Sequence, residues 1–328
     1  MKAAAADNSK LYLLLLEPTL HVKVWGGRRL ESQMGKILPD EQPFGESWEL
    51  HDTSRVANGA LAGRIIGEIL ADHGHELVGP RSDPAAGFPL LAKLIDAAQW
   101  LSIQVHPNDE QARRLEGDPR GKTEAWVVLA TEPGAQLVIG VEPGTGREEM
   151  AAAIRENRLE TLLVYADVEP GDVLFIPAGT IHALGAGVLV YEIQQSSDTT
   201  YRLYDWGRMG LDGKPRQLHI DNGVAVSNLE SLPEIKQTGN IKEQVVEMVS
   251  GEYFRTVLYQ LNEAVGTGVT GNTGLQRFHA LTCIEGEAAV SAEDITVTMK
   301  TGQTVLVPAC IGHYTVVGMA RILCSSPA

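Results

Sequence analysis

Apolar and polar residues alternate through Leu101-Ser102-Ile103-Gln104-Val105-His106, the period of a β-strand, and Pro107 ends the run before a turn. Ser102, Gln104 and His106 therefore share one face, and the last two can grip a single object. Taken alone, that face could equally meet water. A second alternating stretch, Gly121-Lys122-Thr123-Glu124-Ala125-Trp126, places Lys122 and Glu124 on one face. A third run, from Gly171 to His182, predicts an apolar strand, a Pro/Gly turn at Pro177 and Gly179, and a histidine opening the return strand. Residues 188–194 predict another strand, with Val190, Glu192 and Gln194 on one face, then a polar turn leading to Arg202.

The remaining pattern supplies the frame. Residues 11–16 predict a first strand, since the run is too short for a bilayer and meets Glu17-Pro18 rather than a cleavage site. Residues 88–98 predict a buried strand carrying Lys93, where a buried ammonium calls for an anion. Ile65, Ile66, Ile69 and Leu70 stand at helical spacing within residues 60–77, and His73 and His75 fall in a solvated last turn there rather than at a second metal. Residues 108–115 predict a short helix under an Asn/Asp cap. Residues 150–163 continue an amphipathic helix from a capping box at Thr145-Gly146-Arg147-Glu148, and residues 219–229 predict a connecting helix. Residues 1–10 have the character of a disordered leader, and residues 232–244 that of a linker.

The chain also repeats itself. Gly302, Pro308 and His313 stand 131 positions beyond Gly171, Pro177 and His182. The second copy has His279 and His313 but no Gln-x-His strand and no clear carboxylate partner. It reads as a unit that kept its packing and lost its metal. Two domains follow, residues 1–232 with the metal and the catalysis, and residues 233–328 without metal.

The Gly-x5-Pro-x-Gly-x2-His spacing resembles the second motif of the cupin superfamily, and the Gln-x-His strand with a later Glu resembles the first. The resemblance implies an all-β chain of two packed cupin-type jelly-roll barrels, with a few helices from the N-terminal half. It also implies Gln104, His106, Glu124 and His182 as ligands of one metal ion. Two imidazoles, a carboxylate and an amide oxygen suit zinc, and also Fe, Mn, Co or Ni. Gln104 in place of a histidine leaves the ion more electrophilic and favours Lewis-acid work over redox work.

More of the chain is similar to one cupin family, the type I phosphomannose (mannose-6-phosphate) isomerases in their short bacterial form. The similar stretches are Lys23-Val24-Trp25-Gly26-Gly27-Arg28-Arg29-Leu30, Gly45-Glu46-Ser47-Trp48-Glu49, the Leu101 and Gly121 stretches, and Tyr191-Glu192 through Arg202. That resemblance implies one Zn2+ per chain and interconversion of mannose 6-phosphate and fructose 6-phosphate through an enediol. It implies Lys93 and Ser102 as substrate-binding residues and Lys122, Glu192 and Arg202 as catalytic ones. Glu192 is the first choice of base and Lys122 of proton shuttle, the two roles being exchangeable. Arg202 either stabilises the oxyanion or holds the phosphate.

Composition narrows the field. A formal net charge of −15 over 328 residues argues against nucleic acid or an anionic membrane as partner, so a phosphorylated substrate needs a local cluster of basic groups. Three cysteines, Cys283, Cys310 and Cys324, form no metal-like pair and fit free thiols in a reducing cytoplasm. A monomer or weak homodimer is expected. Two rival classes share the motifs: a mononuclear iron dioxygenase, which would want a third histidine where Gln104 stands, and a non-catalytic sugar-phosphate binding protein.

Overall fold

Strands carry most of the regular structure, and they fall into two compact units that interleave along the chain. The computed structural model describes residues 10–230, 232–239 and 241–328; the expected leader lies outside these apart from Lys10. One unit comprises Leu20–Ser47 and Lys93–Asn240, the other Met1–Thr19, Trp48–Ala92 and Ile241–Ala328. The expected division at residue 232 follows chain order, and the units do not. The reason is backbone pairing. Leu14–Glu17 bonds antiparallel to both Thr304–Val307 and Arg55–Val56, which draws N-terminal segments into the C-terminal sheet.

A seven-stranded sheet, drawn mainly from the first unit, runs in the order Ile235–Lys236, Val173–Ile176, Glu124–Thr131, Val188–Gln195, Leu90–Ala97, Phe44–Leu50, Thr19–Gly27. The expected linker thus contributes an edge strand, Ile235–Lys236, against Val173–Ile176. A three-stranded sheet joins Ala183–Leu184, Gln136–Val141 and Leu163–Asp167, and a two-stranded one joins Tyr201–Tyr204 to Ile103–Val105. Ile95, Trp126, Val128 and Val190 of the large sheet pack with Leu137 and Leu184 of the three-stranded one in a single buried cluster. Burying one face of each is what holds two such sheets together. Among the described residues every sheet is open at its ends. The chain is therefore mostly β as expected, without a closed barrel.

The predicted helices form with two adjustments. Asp109–Leu115 starts at Asn108, whose side chain accepts from Gln111 N while Gln111 Oε1 accepts from Asn108 N. Ile66–His73 buries Ile66, Ile69 and Leu70, but ends at Gly74; His73 and His75 turn to Glu76 and the Gly79 carbonyl. The capping box at Thr145 does not form. Gly146 is the cap, Thr145 Oγ1 donates to the Glu142 carbonyl, and the helix covers only Arg147–Arg155.

In the second unit the repeated stretch forms a matching strand. Thr304–Val307 stands 131 positions beyond Val173–Ile176, and Gly171 and Gly302 before them both take positive φ, 99° and 80°. Their surroundings differ. His279 Nδ1 lies 2.7 Å from Tyr314 Oη, and His313 Nε2 lies 3.3 Å from Asn272 Nδ2, and among the described residues neither belongs to a cluster that could hold a metal.

Candidate metal centre and its pocket

The strand that carries Gln104 and His106 is short, and two neighbours hold it. Tyr201–Tyr204 pairs with it so that Arg202 lies opposite Gln104, and an isolated bridge joins Gln104 to His182 through two backbone hydrogen bonds. Glu124 begins its own strand after a close approach of chains. Gly121 N donates to Asp109 Oδ1 and Lys122 N to the Pro107 carbonyl, and a Cβ on Gly121 would lie 2.4 Å from the Asn108 carbonyl carbon. Only glycine fits there, and its absence of a side chain brings Lys122 and Glu124 beside His106.

His106, Glu124 and His182 are fully or almost fully buried, with ligand atoms all within 4.8 Å of one another. His106 Nδ1 lies 2.9 Å from the Thr199 carbonyl and His182 Nδ1 2.9 Å from the Thr180 carbonyl. A carbonyl only accepts, so both Nδ1 atoms carry the proton and both Nε2 atoms present lone pairs inward. Burial, with Lys122 alongside, holds the His106 pKa well below the ordinary histidine value, and keeps the ring neutral. Burial works against ionised Glu124, but the Lys122 ammonium beside it outweighs burial and holds its pKa well below the usual carboxylate range.

The result is a buried cluster of acceptors. His182 Nε2 and Glu124 Oε1 face each other at 3.1 Å, and Glu124 Oε1 has no hydrogen-bond donor among the described residues. Such an atom is costly unless a cation satisfies it. Gln104 completes the ring, its Nε2 3.2 Å from His182 Nε2; turning the amide over puts Oε1 in that place. The four residues fit a divalent ion. Lys122 Nζ meanwhile donates to Glu124 Oε2 at 2.6 Å and lies 3.0 Å from His106 Nε2. One lone pair serves one partner, so a metal on His106 requires Lys122 to release that nitrogen.

Above the cluster opens a cavity of about 280 Å³ lined by Lys23, Lys93, Lys122, Arg202 and Arg216 against Glu46, Glu192 and Asp198, with Ser102, Gln104 and Trp126 in the wall. Cations outnumber acids in this pocket of a chain whose net charge is −15. Every residue expected at the site thus lies in one unit, the metal candidates at the base and the others around the cavity.

Two relationships were not readable in advance. Lys93 meets its anion within the protein, since Nζ donates to Glu192 Oε1 and Gln194 Oε1, both at 2.8 Å. Burial disfavours its charge, but Glu192 and Glu46 prevail and raise the Lys93 pKa. Trp126 Nε1 donates to Glu192 Oε2 at 2.8 Å, so both carboxylate oxygens of Glu192 are engaged. The two-residue alternation that places Trp126 with Glu124, and Gln194 with Glu192, was the available signal. Arg202 forms no ion pair with Asp198 or Asp205; its Nη1 donates to the Gln217 carbonyl and its Nε is buried with no partner among the described residues. Arg216 lies in a loop with no periodicity to announce it.

The fold and site have known counterparts. Residues 13–124 match the family described as phosphomannose isomerase type I, catalytic domain, and residues 245–327 the mannose-6-phosphate isomerase cupin domain. A probable mannose-6-phosphate isomerase of Bacillus subtilis is 33% identical over 323 residues, 96% of this chain and 99% of that protein. The mannose-6-phosphate isomerase of Streptococcus mutans is 36% identical over 77% of this chain and 80% of its own length. The solved mannose 6-phosphate isomerase of B. subtilis superposes with a TM-score of 0.85 at 31% identity, covering 95% of this chain and 99% of that one. Motifs, fold and relatives agree along nearly the whole sequence: the chain belongs to the type I phosphomannose isomerases, the mannose-6-phosphate isomerase enzymes.

Proposed function

We propose that this enzyme interconverts mannose 6-phosphate and fructose 6-phosphate by moving a proton between C1 and C2 through an enediol, with one zinc ion held by Gln104, His106, Glu124 and His182. The observation that carries the reading is the confrontation of two buried acceptors, His182 Nε2 and Glu124 Oε1, at the base of a cationic pocket. A bound divalent ion would supply Lewis acidity worth several kcal/mol to negative charge on the sugar oxygens. The donor set, mixed nitrogen and oxygen without thiolate, suits zinc. An iron dioxygenase would want a third imidazole where Gln104 stands.

The chain's own groups divide the remaining work. Glu192 takes the carbon-bound proton, its carboxylate aimed by Lys93 and Trp126. A positioned base contributes roughly 10²–10⁴-fold. Lys122, beside the ligand carboxylate, carries a proton to or from a sugar oxygen, and Arg202 stabilises the charge that develops there. Lys93 and Ser102 line the wall against which the sugar rests. Folding of the pocket-bearing unit as a cupin jelly roll belongs to the same reading, supported by the two sheets packed over one core. A coupled assay for fructose 6-phosphate formed from mannose 6-phosphate, with and without chelator, tests it. Turnover that survives complete removal of metal would reject the metal part, and no turnover by metal-loaded protein would reject the reaction.

A further inference from the structure

We infer that the second unit carries a ligand site of its own, a pocket in which Arg255, Arg277 and His279 bind a small oxyanion. The site is independent of the reaction proposed above. A cavity of about 320 Å³ opens in this unit, lined by the three residues with Asn272, Gln276 and Ser326, and by no acidic side chain among the described residues.

Strand register brings the cations together. Arg255 lies opposite Ser326 across the pair formed by Phe254–Leu261 and His313–Pro327. Arg277 Nη1 donates to the carbonyl of the next residue, Pro327, at 3.0 Å. Two residues further on, His279 opens the strand His279–Ala292. Its Nδ1 is engaged by Tyr314 Oη, and its Nε2 has no partner among the described residues. The rim is built in advance. Asn272 Oδ1 accepts from Gly274 N at 2.8 Å and Thr273 Oγ1 donates to the Ala309 carbonyl at 2.7 Å, so the loop bearing Gln276 need not order on binding.

The positive charge here is under-neutralised. Arg255 Nε donates to Glu247 Oε2 at 2.6 Å in an exposed pair that solvent weakens, and its two Nη groups have no partner among the described residues. Arg277 has no acidic partner among them. Burial, with Arg81 and Arg255 adding to it, lowers the Arg277 pKa, and His279 is held down by burial, Arg277 and Arg255. A metal ion is repelled by such a lining. An oxyanion removes the penalty, because its oxygens accept from the free guanidinium N–H groups and from a proton on His279 Nε2. Tyr314 Oη can donate to Nδ1, which places that proton on Nε2.

The test follows the ring signals of the nine histidines by proton–carbon NMR in histidine-labelled, zinc-loaded enzyme, with His279→Gln assigning the His279 signal. Inorganic phosphate is titrated at constant pH and ionic strength, and malonate in a parallel series, which separates a phosphate ligand from a carboxylate one. The His279 signal should move saturably with one anion or both. Arg277→Ala should weaken that Kd by about 10–100-fold, the worth of a charged hydrogen bond. Arg255→Ala should weaken it by a smaller factor, because Glu247 already shares that side chain. Phosphate entering the catalytic cavity moves the His106 and His182 signals instead, so the two sites are read separately. A His279 signal unmoved by either anion would overturn the inference, as would an Arg277→Ala enzyme whose Kd stays within about twofold of wild type. If Arg277→Ala does not fold, Arg277→Gln, which keeps a donor for the Pro327 carbonyl, is judged by the same limits.

Discussion

Arg202 stands directly opposite Gln104 across the antiparallel pair formed by Tyr201–Tyr204 and Ile103–Val105. Cross-strand neighbours project to the same side of a sheet, so a permanently charged guanidinium is held beside the amide proposed as the fourth metal ligand. Its Nε is buried with no partner among the described residues, which suits the proposed role of stabilising an oxygen that gains charge only during reaction. Arg202→Ala should lower kcat by roughly 10²-fold or more, as loss of an oxyanion donor does, with KM and metal content little changed. A raised KM with kcat preserved would assign Arg202 to ground-state binding instead.

Metal content comes next. Elemental analysis of the purified enzyme should find one divalent ion per chain, zinc most abundant. His182→Ala and His106→Ala each remove a buried lone pair from the cluster and should lose both ion and turnover. Two ions per chain would place a second centre in the unit that carries His279 and His313.

Glu192 and Lys122 compete for the role of base. Glu192→Gln keeps the shape and an acceptor for Trp126 but cannot take a proton, so kcat should fall by about 10²–10⁴-fold, measured at a temperature where the variant, which leaves Lys93 without its carboxylate, is still folded. Lys122→Met should cost turnover as well. If Lys122→Met removes the isotope-sensitive carbon–hydrogen step while Glu192→Gln leaves it, the two assignments exchange.

Lys93 is predicted to matter for stability as well as binding. Its pair with Glu192 is buried on both sides, at 2.8 Å, and Gln194 shares the ammonium. Lys93→Met leaves an uncompensated carboxylate, and breaking such a pair from one side costs about 3–5 kcal/mol. The denaturation midpoint should fall clearly, and the double change Lys93→Met with Glu192→Gln should recover part of the loss. No recovery would mean that packing, rather than charge, accounts for the effect.

His279 gives a pH dependence with a definite sign. Burial, with Arg277 and Arg255 adding to it, pushes its pKa from 6.5 down to about 4. Between those values the unfolded chain takes a proton that the folded chain refuses, so this group stabilises the fold above about pH 6.5 and progressively less as pH falls toward 4. The whole difference is at most about 3 kcal/mol. In denaturant titrations from pH 7 to pH 4.5, His279→Gln should lose stability less steeply than wild type. Parallel curves would show that His279 titrates normally.

What the sequence determined by itself was local and periodic. Two-residue alternation put Lys122 with Glu124, and Glu192 with Gln194, on common faces, because side chains on a strand alternate whatever the strand pairs with. The 131-residue repeat foretold that Thr304–Val307 would copy Val173–Ile176, since the same apolar run before Pro requires the same burial. Tertiary structure decided which faces meet. Lys93 and Glu192 are 99 residues apart, and only the neighbouring positions of Leu90–Ala97 and Val188–Gln195 in the sheet join them. The grouping of Leu14–Glu17 with Thr304–Val307, the orphaned Glu124 Oε1, and the lock of Arg216 on Asp205 likewise depend on pairings and loop courses. Strand order and loop path are set by long-range burial and backbone hydrogen bonding, which leave no period in the local sequence to read.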